Sequence, residues 1–240
     1  MNILCVSTYF IPYISGLTVY PYRLFKYLTS QGYRIQVVTF KHDKNLASKE
    51  TIDGIPTERV NYWFKLSKGF FAPFFSFSLL KHIRKTDVVI INQPSVEGLG
   101  AILLAKIFNT KVISLYYCKL QSNGDIFQKC IYWFVNNIIY FELAFSDYIV
   151  ATNADYIKKS LSLLKHKIKI IMPPIEHYPF VQNIYNGFIR KKKDTVWIGF
   201  CGRISREKGV EYLIEAYETI RTKIPSAILI FAGPSGDEVA

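Results

Sequence analysis

Two loops of the 240-residue chain combine residue types that can hold phosphate groups. The first contains Ser15-Gly16 before an amphipathic segment. A glycine lets the backbone approach a ligand, and a helix start offers free N–H groups to an anion. The second carries Arg203 and Lys208 in the run GRISREKG, where a guanidinium and an ammonium together suit a diphosphate. A tight turn and a solvated charged turn are the alternative interpretations of these loops.

Short Val/Ile-rich runs alternate with helix-length segments from the first residue onward. This pattern predicts strands at 2–7, 34–40, 87–92, 111–117, 148–152 and 168–172, and helices at 17–31, 96–108, 126–145 and 154–164. Solid apolar strands separated by helices indicate a parallel sheet covered on both faces. The first part of the chain is therefore predicted to be a doubly wound α/β domain of Rossmann-like type. The dinucleotide fingerprint G-x-G-x-x-G is absent, which argues against a dehydrogenase.

Prolines and a charge run interrupt this pattern after residue 172. Residues 1–174 are predicted to form one domain and 175–193 a linker. A strand at 196–201, a helix at 209–220 and a strand at 227–231 follow. Residues 194–240 are therefore predicted to be the first β-α-β unit of a second Rossmann-like domain, which is expected to be incomplete. Its GRISREKG loop lies at the carboxyl edge of a parallel sheet, where α/β folds bind ligands.

Three stretches resemble the family-four (group 1) retaining glycosyltransferases. FCGRISREKGVEYLIEAYETIRTKIPSAILIFAGP resembles the opening of their donor-binding domain, and YFIPYISGLTVYPYRLFKYLTSQGYRIQVVTF the start of their N-terminal domain. DYIVATNADYIKKS followed by KIKIIMPPIE resembles the end of that domain. The resemblance implies the two-Rossmann (GT-B) architecture. It also implies transfer of a sugar, with retention, from a nucleotide-diphosphate donor to a glycan or lipid-linked acceptor.

The resemblance also implies roles for particular residues. Arg203 and Lys208 match the catalytic pair that holds the donor diphosphate and stabilises the charge on the leaving group. Gly16 matches the second glycine of a Gly-Gly loop near the donor phosphate, Ser15 replaces the first, and Gly202 opens the second phosphate-binding loop. The nucleotide sugar is a substrate in this scheme, and no cofactor is expected. No metal is expected either, because the four cysteines and four histidines lack ligand spacing.

The chain also departs from the family pattern. Tyr117 falls where the family often has a histidine, Lys119 where an aspartate is common, and Pro174 where a glycine is usual. A tyrosine in the cleft can donate a hydrogen bond, but its ordinary pKa near 10 prevents it from replacing an imidazole. The Glu-x7-Glu motif that contacts the donor falls beyond residue 240. The chain is therefore expected to be an N-terminal portion with little activity by itself.

The charge is unevenly distributed, with a net +14 over residues 1–193 and −2 over residues 194–240. This excess predicts an anionic partner for the first part. Aromatic residues concentrate at 62–77 and cations at 81–85, which suits either a segment lying on an anionic membrane or a core helix with a basic tail. No nucleic-acid motif accompanies the charge, so no nucleic-acid partner is expected.

The longest apolar run, residues 130–145, falls short of the roughly 20 residues of a membrane span, and the N-terminus lacks a signal-peptide pattern. Three of the four cysteines lie in apolar runs, which predicts buried free thiols and a reducing compartment. The protein is therefore predicted to be cytoplasmic, with a peripheral position on the inner membrane face left open. The alternatives to a glycosyltransferase are a non-catalytic domain that binds an anionic membrane or partner, and a nucleotide-sugar epimerase of the same architecture.

Overall fold

The computed structural model describes residues 1–66, 69–121, 125–154, 157, 161–173 and 194–234. The chain divides into two compact units, Met1–Glu176 and His177–Ala240. Pro174 and the predicted linker at 175–193 lie outside the described residues, so the proposed bounds of the linker stay a prediction.

An eight-stranded sheet forms the centre of the first unit, in the order β10-β9-β8-β7-β1-β2-β4-β3. Its strands are β1 (Asn2–Ser7), β2 (Arg34–Phe40), β3 (Lys49–Ile52), β4 (Ile55–Val60), β7 (Val88–Asn92), β8 (Lys111–Tyr116), β9 (Tyr148–Ala151) and β10 (Ile168–Ile170). All neighbouring pairs are parallel except β3–β4. Strands β5 (Phe64–Leu66) and β6 (Gly69–Phe71) form a separate antiparallel pair.

Helices cover both faces of this sheet. They are α1 (Gly16–Ser30), α2 (Phe75–Ile83), α3 (Gly98–Ile107) and α4 (Ile126–Phe145). Side chains alternate along β1, so Ile3 and Cys5 pack in one core cluster with Phe25 of α1. Leu4 and Val6 pack in the other cluster, with residues of α2 and α3. The predicted doubly wound parallel α/β domain is therefore confirmed.

The order of the strands reverses at β1. The chain moves outward from β1 through β2 to β4 and β3, and then returns to the opposite side of β1 as β7. In open α/β sheets, ligands bind outside the carboxyl ends of the strands at such a reversal. The carboxyl ends of β1 and β7 are therefore the candidate ligand site of the first unit.

Several local predictions meet the structure closely. In the sequence, Asp53-Gly54 between two short apolar runs predicts a hairpin turn. That turn is present, with Ile52 opposite Ile55 and positive φ values of 46° and 80° at the two turn residues. The helix predicted over 154–164 is wrong at its end, where a 3₁₀ helix spans Ser162–Lys167. Leu161 and Leu164 are both buried. Their spacing of three residues fits the 3₁₀ period as well as the α-helical one.

The thiols and the aromatic stretch also differ from expectation. Cys5 is buried as predicted, but Cys118 is only partly buried, and Cys130 and Cys201 are exposed. The stretch at 62–85 is not one helix, since β5 and β6 precede the short helix α2. Within the described part of the chain, no helix has both the length and the apolar character needed to cross a bilayer.

The described part of the second unit is a β-α-β arrangement, as predicted. Strands β11 (Val196–Cys201) and β12 (Ala227–Ala232) pair in parallel, and helix α5 (Val210–Lys223) connects them. A short 3₁₀ turn, Arg206–Lys208, leads into α5. The loop after β11 is therefore at the carboxyl edge of this small sheet.

Candidate functional site

A single asparagine ties together the sheet edge where the strand order of the first unit reverses. Asn92 ends β7, and its Nδ2 donates hydrogen bonds to Ser7 Oγ at 2.9 Å and to the Leu17 carbonyl at 2.8 Å. The hydroxyl of Tyr117, just after β8, donates to Asn92 Oδ1 at 2.9 Å. One buried amide thus connects the ends of three neighbouring strands with the first turn of α1.

The Ser15–Gly16 segment begins at this same edge. Ser15 is extended, its N–H donates to Thr18 Oγ1 at 2.9 Å, and the Thr18 hydroxyl donates to the Tyr13 carbonyl at 2.6 Å. A Cβ added to Gly16 would meet no atom within 4 Å in the described structure. The backbone at the start of α1 is therefore open to close approach, as a phosphate-binding helix start requires.

Tyr117 is held as a neutral hydrogen-bond donor. Burial raises the pKa of its phenol well above the ordinary value, and the nearby Tyr20 and Cys5 act in the same direction. The ring of Tyr20 packs edge-on against it, with centroids 5.6 Å apart. At neutral pH this side chain can orient a ligand or Asn92, but it cannot accept a proton as a histidine would.

Buried acids support the loop that follows Asn92. Gln93 Nε2 donates to Glu142 Oε2 of α4, and Gln93 Oε1 accepts from the Ser95 N–H at 2.9 Å. The Thr8 hydroxyl donates to Glu97 Oε1. Burial raises the pKa of Glu142 to about 8 and also raises the pKa of Glu97. Hydrogen bonds to the carboxyl groups of Glu97 and Glu142 therefore hold the connection between β7 and α3 in place.

These supporting residues were missed by the sequence reasoning. Asn92 and Gln93 directly follow an apolar strand, and polar residues at that point of a parallel sheet are a usable signal. Glu142 is a lone acid within an apolar run, which is also visible in the sequence. Gly98 carries no such signal, although a Cβ there would lie 2.8 Å from Glu142 Oε2.

The loop after β11 in the second unit depends on two glycines. Gly202 and Gly233 have φ values of 153° and 152°, and a Cβ on Gly233 would overlap the carbonyl oxygen of Gly202. The Gly202 N–H donates to the Ala232 carbonyl at 2.9 Å, and the Ile204 N–H donates to the Pro234 carbonyl at 2.9 Å. The backbones after β11 and β12 therefore lie in direct contact.

The cations of this loop are accessible. Arg203 is half-buried next to Gly202, and Lys208 is exposed at the end of the 3₁₀ turn, where Gly209 with φ 67° begins α5. Arg206 is 97% exposed, with its Nε 3.8 Å from a Glu211 carboxylate oxygen. Diphosphate binding by Arg203 and Lys208 and a solvated charged turn both stay possible interpretations of this loop.

The predicted site residues thus fall into two groups, each described by itself. Ser15, Gly16 and Tyr117 belong to the sheet edge of the first unit, and Gly202, Arg203 and Lys208 share one loop of the second. Their roles stay predictions. Among the described residues, no group of three His, Cys, Asp or Glu side chains could hold a metal ion.

A separate cavity of about 500 Å³ lies beside α4 in the first unit. Lys119, at the position where the family often has an aspartate, lines it together with Lys129 and Asn136. Tyr132 and Trp133 supply aromatic rings to the same wall. Such a lining can stack on sugar rings and attract anionic groups.

Solved structures share this fold at low sequence identity. A sucrose-phosphate synthase from Thermosynechococcus elongatus aligns with a TM-score of 0.73 at 17% identity, over 99% of this chain and 63% of its own. HepE from Anabaena, in complex with UDP, aligns with a TM-score of 0.66 at 16% identity, over 98% of this chain and 61% of its own. HepE in complex with UDP-glucose aligns with a TM-score of 0.62 at 15% identity, over 96% of this chain and 60% of its own. The chain thus spans about three fifths of their length.

These structures are GT-B glycosyltransferases with Rossmann-like domains, so the predicted fold class is confirmed. Comparison with curated proteins yields no match. The sequence profile of Glycosyltransferase Family 4 matches residues 14–177, which include the Ser15–Gly16 segment, Asn92 and Tyr117. Since this match covers more than half of the chain, the chain belongs to Glycosyltransferase Family 4.

Proposed function

We propose that the protein transfers a sugar from a nucleotide-diphosphate donor to a glycan or lipid-linked acceptor, with retention of configuration. The observation that carries the proposal is family membership combined with the loop at the carboxyl end of β11. This loop presents an arginine and a lysine on a glycine-built backbone. HepE, which has the same fold, binds UDP and UDP-glucose, which supports a nucleotide sugar as the donor.

Arg203 and Lys208 hold the donor diphosphate in this mechanism. When the bond between the sugar and the diphosphate breaks, negative charge accumulates on the leaving nucleoside diphosphate. A guanidinium can donate two parallel hydrogen bonds to phosphate oxygens, and a lysine ammonium adds a point charge. They therefore stabilise the transition state without a metal or a cofactor in the proposed scheme.

The sheet edge of the first unit contributes positioning. The start of α1 at Gly16 offers N–H groups and a positive dipole end to an anion. Asn92 and Tyr117 fix this helix start relative to β7 and β8. We assign Ser15 and Gly16 to donor phosphate binding, and Tyr117, whose hydroxyl donates to Asn92, to the positioning of the helix start.

The cavity beside α4 is the proposed place for the acceptor. Its rings suit sugar faces, and Lys119 and Lys129 suit a phosphate or other anionic group on the acceptor. Replacing Trp133 with Ala is expected to raise the KM for the acceptor at least about fivefold, since truncating an anchoring aromatic costs on the order of 1 kcal/mol. The donor KM should stay unchanged. Phe134→Ala is the matched control, because that ring is exposed but does not line the cavity.

An assay of sugar transfer tests the proposal. The active enzyme, supplied with UDP-glucose and other nucleotide sugars and a glycan or lipid-linked acceptor, should release nucleoside diphosphate only when the acceptor is present. The product should keep the anomeric configuration of the donor, as read from its NMR coupling constant. Formation of an epimerised nucleotide sugar would favour the epimerase alternative. Absence of any turnover would favour a non-catalytic binding domain. The cytoplasmic location of this reaction stays a prediction.

A further inference from the structure

Five aromatic rings form one continuous exposed surface on the first unit, here called the aromatic patch. Its members are between 48% and 66% exposed, and they are Trp63, Phe64, Phe71, Phe74 and Phe77. Rings of this size contribute about 200 Å² each, so the patch leaves on the order of 500 Å² of aromatic surface open to solvent. That is at the upper end of what monomeric proteins expose in one patch.

The rings contact one another in an unbroken row. Phe64 stacks on Phe71 with centroids 4.9 Å apart, because the two residues lie opposite each other in the β5–β6 pair. Trp63 lies 6.2 Å from Phe71 and 5.8 Å from Phe74, and Phe74 lies 6.1 Å from Phe77 at the start of α2. The hairpin and the helix thus present their rings together.

The patch is distinct from the core beneath it. Phe70 and Phe75 are buried and pack with Phe40 in the core of the first unit. Alternation along β6 directs Phe70 inward and Phe71 outward. The interior is therefore filled without the five exposed rings, and their exposure is a property of the surface.

The segment that carries the patch has charged residues of one sign. Residues 61–86 contain five lysines and arginines and no aspartate or glutamate. Lys81 is already paired with Glu58 at 2.8 Å, so it contributes less outward charge. Lys65, next to Phe64, and Arg84 and Lys85, at the end of α2, are exposed. Rings bracketed by cations match a bilayer surface, where aromatic rings sit at the headgroup level and cations attract anionic lipid.

We propose that the aromatic patch docks the first unit on an anionic membrane surface. The rings Trp63, Phe71, Phe74 and Phe77 insert at the headgroup boundary. Lys65, Arg84 and Lys85 lie over the anionic headgroups. The proposal goes beyond sugar transfer, because it concerns where the protein sits and not which reaction it performs.

Flotation of the chain with vesicles tests this surface. Binding to vesicles of phosphatidylcholine with phosphatidylglycerol should exceed binding to phosphatidylcholine alone, and high salt should reduce it without abolishing it. Replacing Trp63, Phe71, Phe74 and Phe77 with Ser should lower the partition coefficient at least about tenfold, since each ring adds buried apolar area. The Lys65, Arg84 and Lys85 to Gln variant should lose roughly fivefold for each charge and mimic high salt.

Four exposed rings elsewhere give a matched control. The variant with Phe127, Phe134, Phe141 and Phe145 of α4 changed to Ser removes the same number of exposed rings from another surface. It should bind vesicles like the wild type. If it loses binding as strongly as the patch variant, or if the wild-type chain ignores anionic vesicles at low salt, the proposal is overturned. A dimer that disappears in the patch variant, without any vesicle binding, would assign the surface to a second copy and also overturn it.

A fluorescence measurement decides the case even if the Ser variant fails to fold. Changing Trp133 and Trp197 to Phe leaves Trp63 as the only tryptophan of the chain. On addition of anionic vesicles, the emission of Trp63 should shift to shorter wavelength, and lipids brominated near the headgroup should quench it. Unchanged emission while the protein floats with the vesicles would show that another surface binds the membrane, and the patch assignment would fall.

Discussion

The two candidate phosphate loops are built in opposite ways. At the sheet edge of the first unit, hydrogen bonds between side chains hold the loops in place. The side chains that form them include Asn92, Tyr117, Gln93 and Glu142. In the loop of the second unit the backbone supplies the rigidity, through the contact between Gly202 and Gly233; Arg203 is half-buried there and Lys208 is exposed.

This difference predicts which substitutions lower stability and which lower activity. A side chain that is buried and bonded on several sides cannot be removed without leaving unsatisfied groups, so its loss changes the fold and the position of its neighbours. An exposed cation on a rigid backbone can be removed at little cost to folding. Substitutions in the first unit should therefore appear as changes in stability, and cation substitutions in the second as changes in activity.

The largest expected effect comes from Gly233. Its left-handed φ of 152° and the overlap of an added Cβ with the Gly202 carbonyl oxygen leave no room for alanine. Gly233→Ala should destabilise the second unit by more than about 3 kcal/mol. Urea unfolding monitored by the fluorescence of Trp197 in β11 measures this, in a background with the other two tryptophans changed to Phe. Gly199→Ala, where a Cβ meets nothing within 4 Å, is the control, and equal midpoints would contradict the contact.

The next effect concerns the buried acid Glu142. Its pKa, raised to about 8 by burial, exceeds the ordinary carboxyl value, so the folded state keeps a proton that the unfolded chain has already released. The contribution of Glu142 to the free energy of unfolding is therefore largest at acid pH. It falls by on the order of a few kcal/mol as the pH rises towards 8. The Glu142→Gln variant should lack this decline. Unfolding free energies from pH 5 to 9 compare the two, and parallel curves would show that Glu142 is ionised in the folded state.

Substitution of the cations in the second loop should lower turnover. In the active enzyme, Arg203→Ala and Lys208→Ala should each lower kcat/KM about 10- to 100-fold, or roughly 1.4–2.7 kcal/mol of transition-state stabilisation. The unfolding midpoint of the Lys208→Ala variant should not move, because that side chain is exposed. Arg206→Ala, in the same loop and almost fully exposed, should keep wild-type kinetics. Wild-type values for both test variants would favour a solvated turn.

Only a small effect on stability is expected at Gly16. Because nothing lies within 4 Å of an added Cβ, Gly16→Ala should leave stability within about 1 kcal/mol, with the change favouring the helix. If donor phosphate approaches this backbone, the same variant should raise the donor KM. An unchanged donor KM would remove Gly16 from the site and leave it as an ordinary helix start.

The sequence predicted the fold more completely than it predicted the site. Periodicity located the strands β1, β2 and β7 to β12 and the helices α1, α3, α4 and α5, because each is long enough or apolar enough to show its pattern, and the Asp53-Gly54 turn carried its own signal. It did not separate β5, β6 and α2 within residues 62–85. The 3₁₀ helix at Ser162–Lys167 was missed, since leucines three residues apart fit either period.

The support of the site could not be predicted because it depends on contacts between distant segments. Gln93 and Glu142 are hydrogen-bonded although they are 49 positions apart in the sequence. Asn92 and Ser7 are hydrogen-bonded although they are 85 positions apart. Motif resemblance identified Gly16, Arg203 and Lys208 as candidates. It offered nothing about the amide that orients the helix start or about which of the rings at 62–77 would be exposed.

Calorimetric titration with nucleotides measures whether the second loop binds a diphosphate through Arg203 and Lys208. UDP and GDP should bind at least about tenfold more tightly than uridine and guanosine, since charge-assisted contacts to the phosphates supply the difference. The double variant Arg203→Ala, Lys208→Ala should lose this preference, and Arg206→Ala should keep it. If the double variant still binds the diphosphates more tightly than the nucleosides, Arg203 and Lys208 do not bind the diphosphate. An Arg206→Ala variant that is equally impaired would also contradict their specific role.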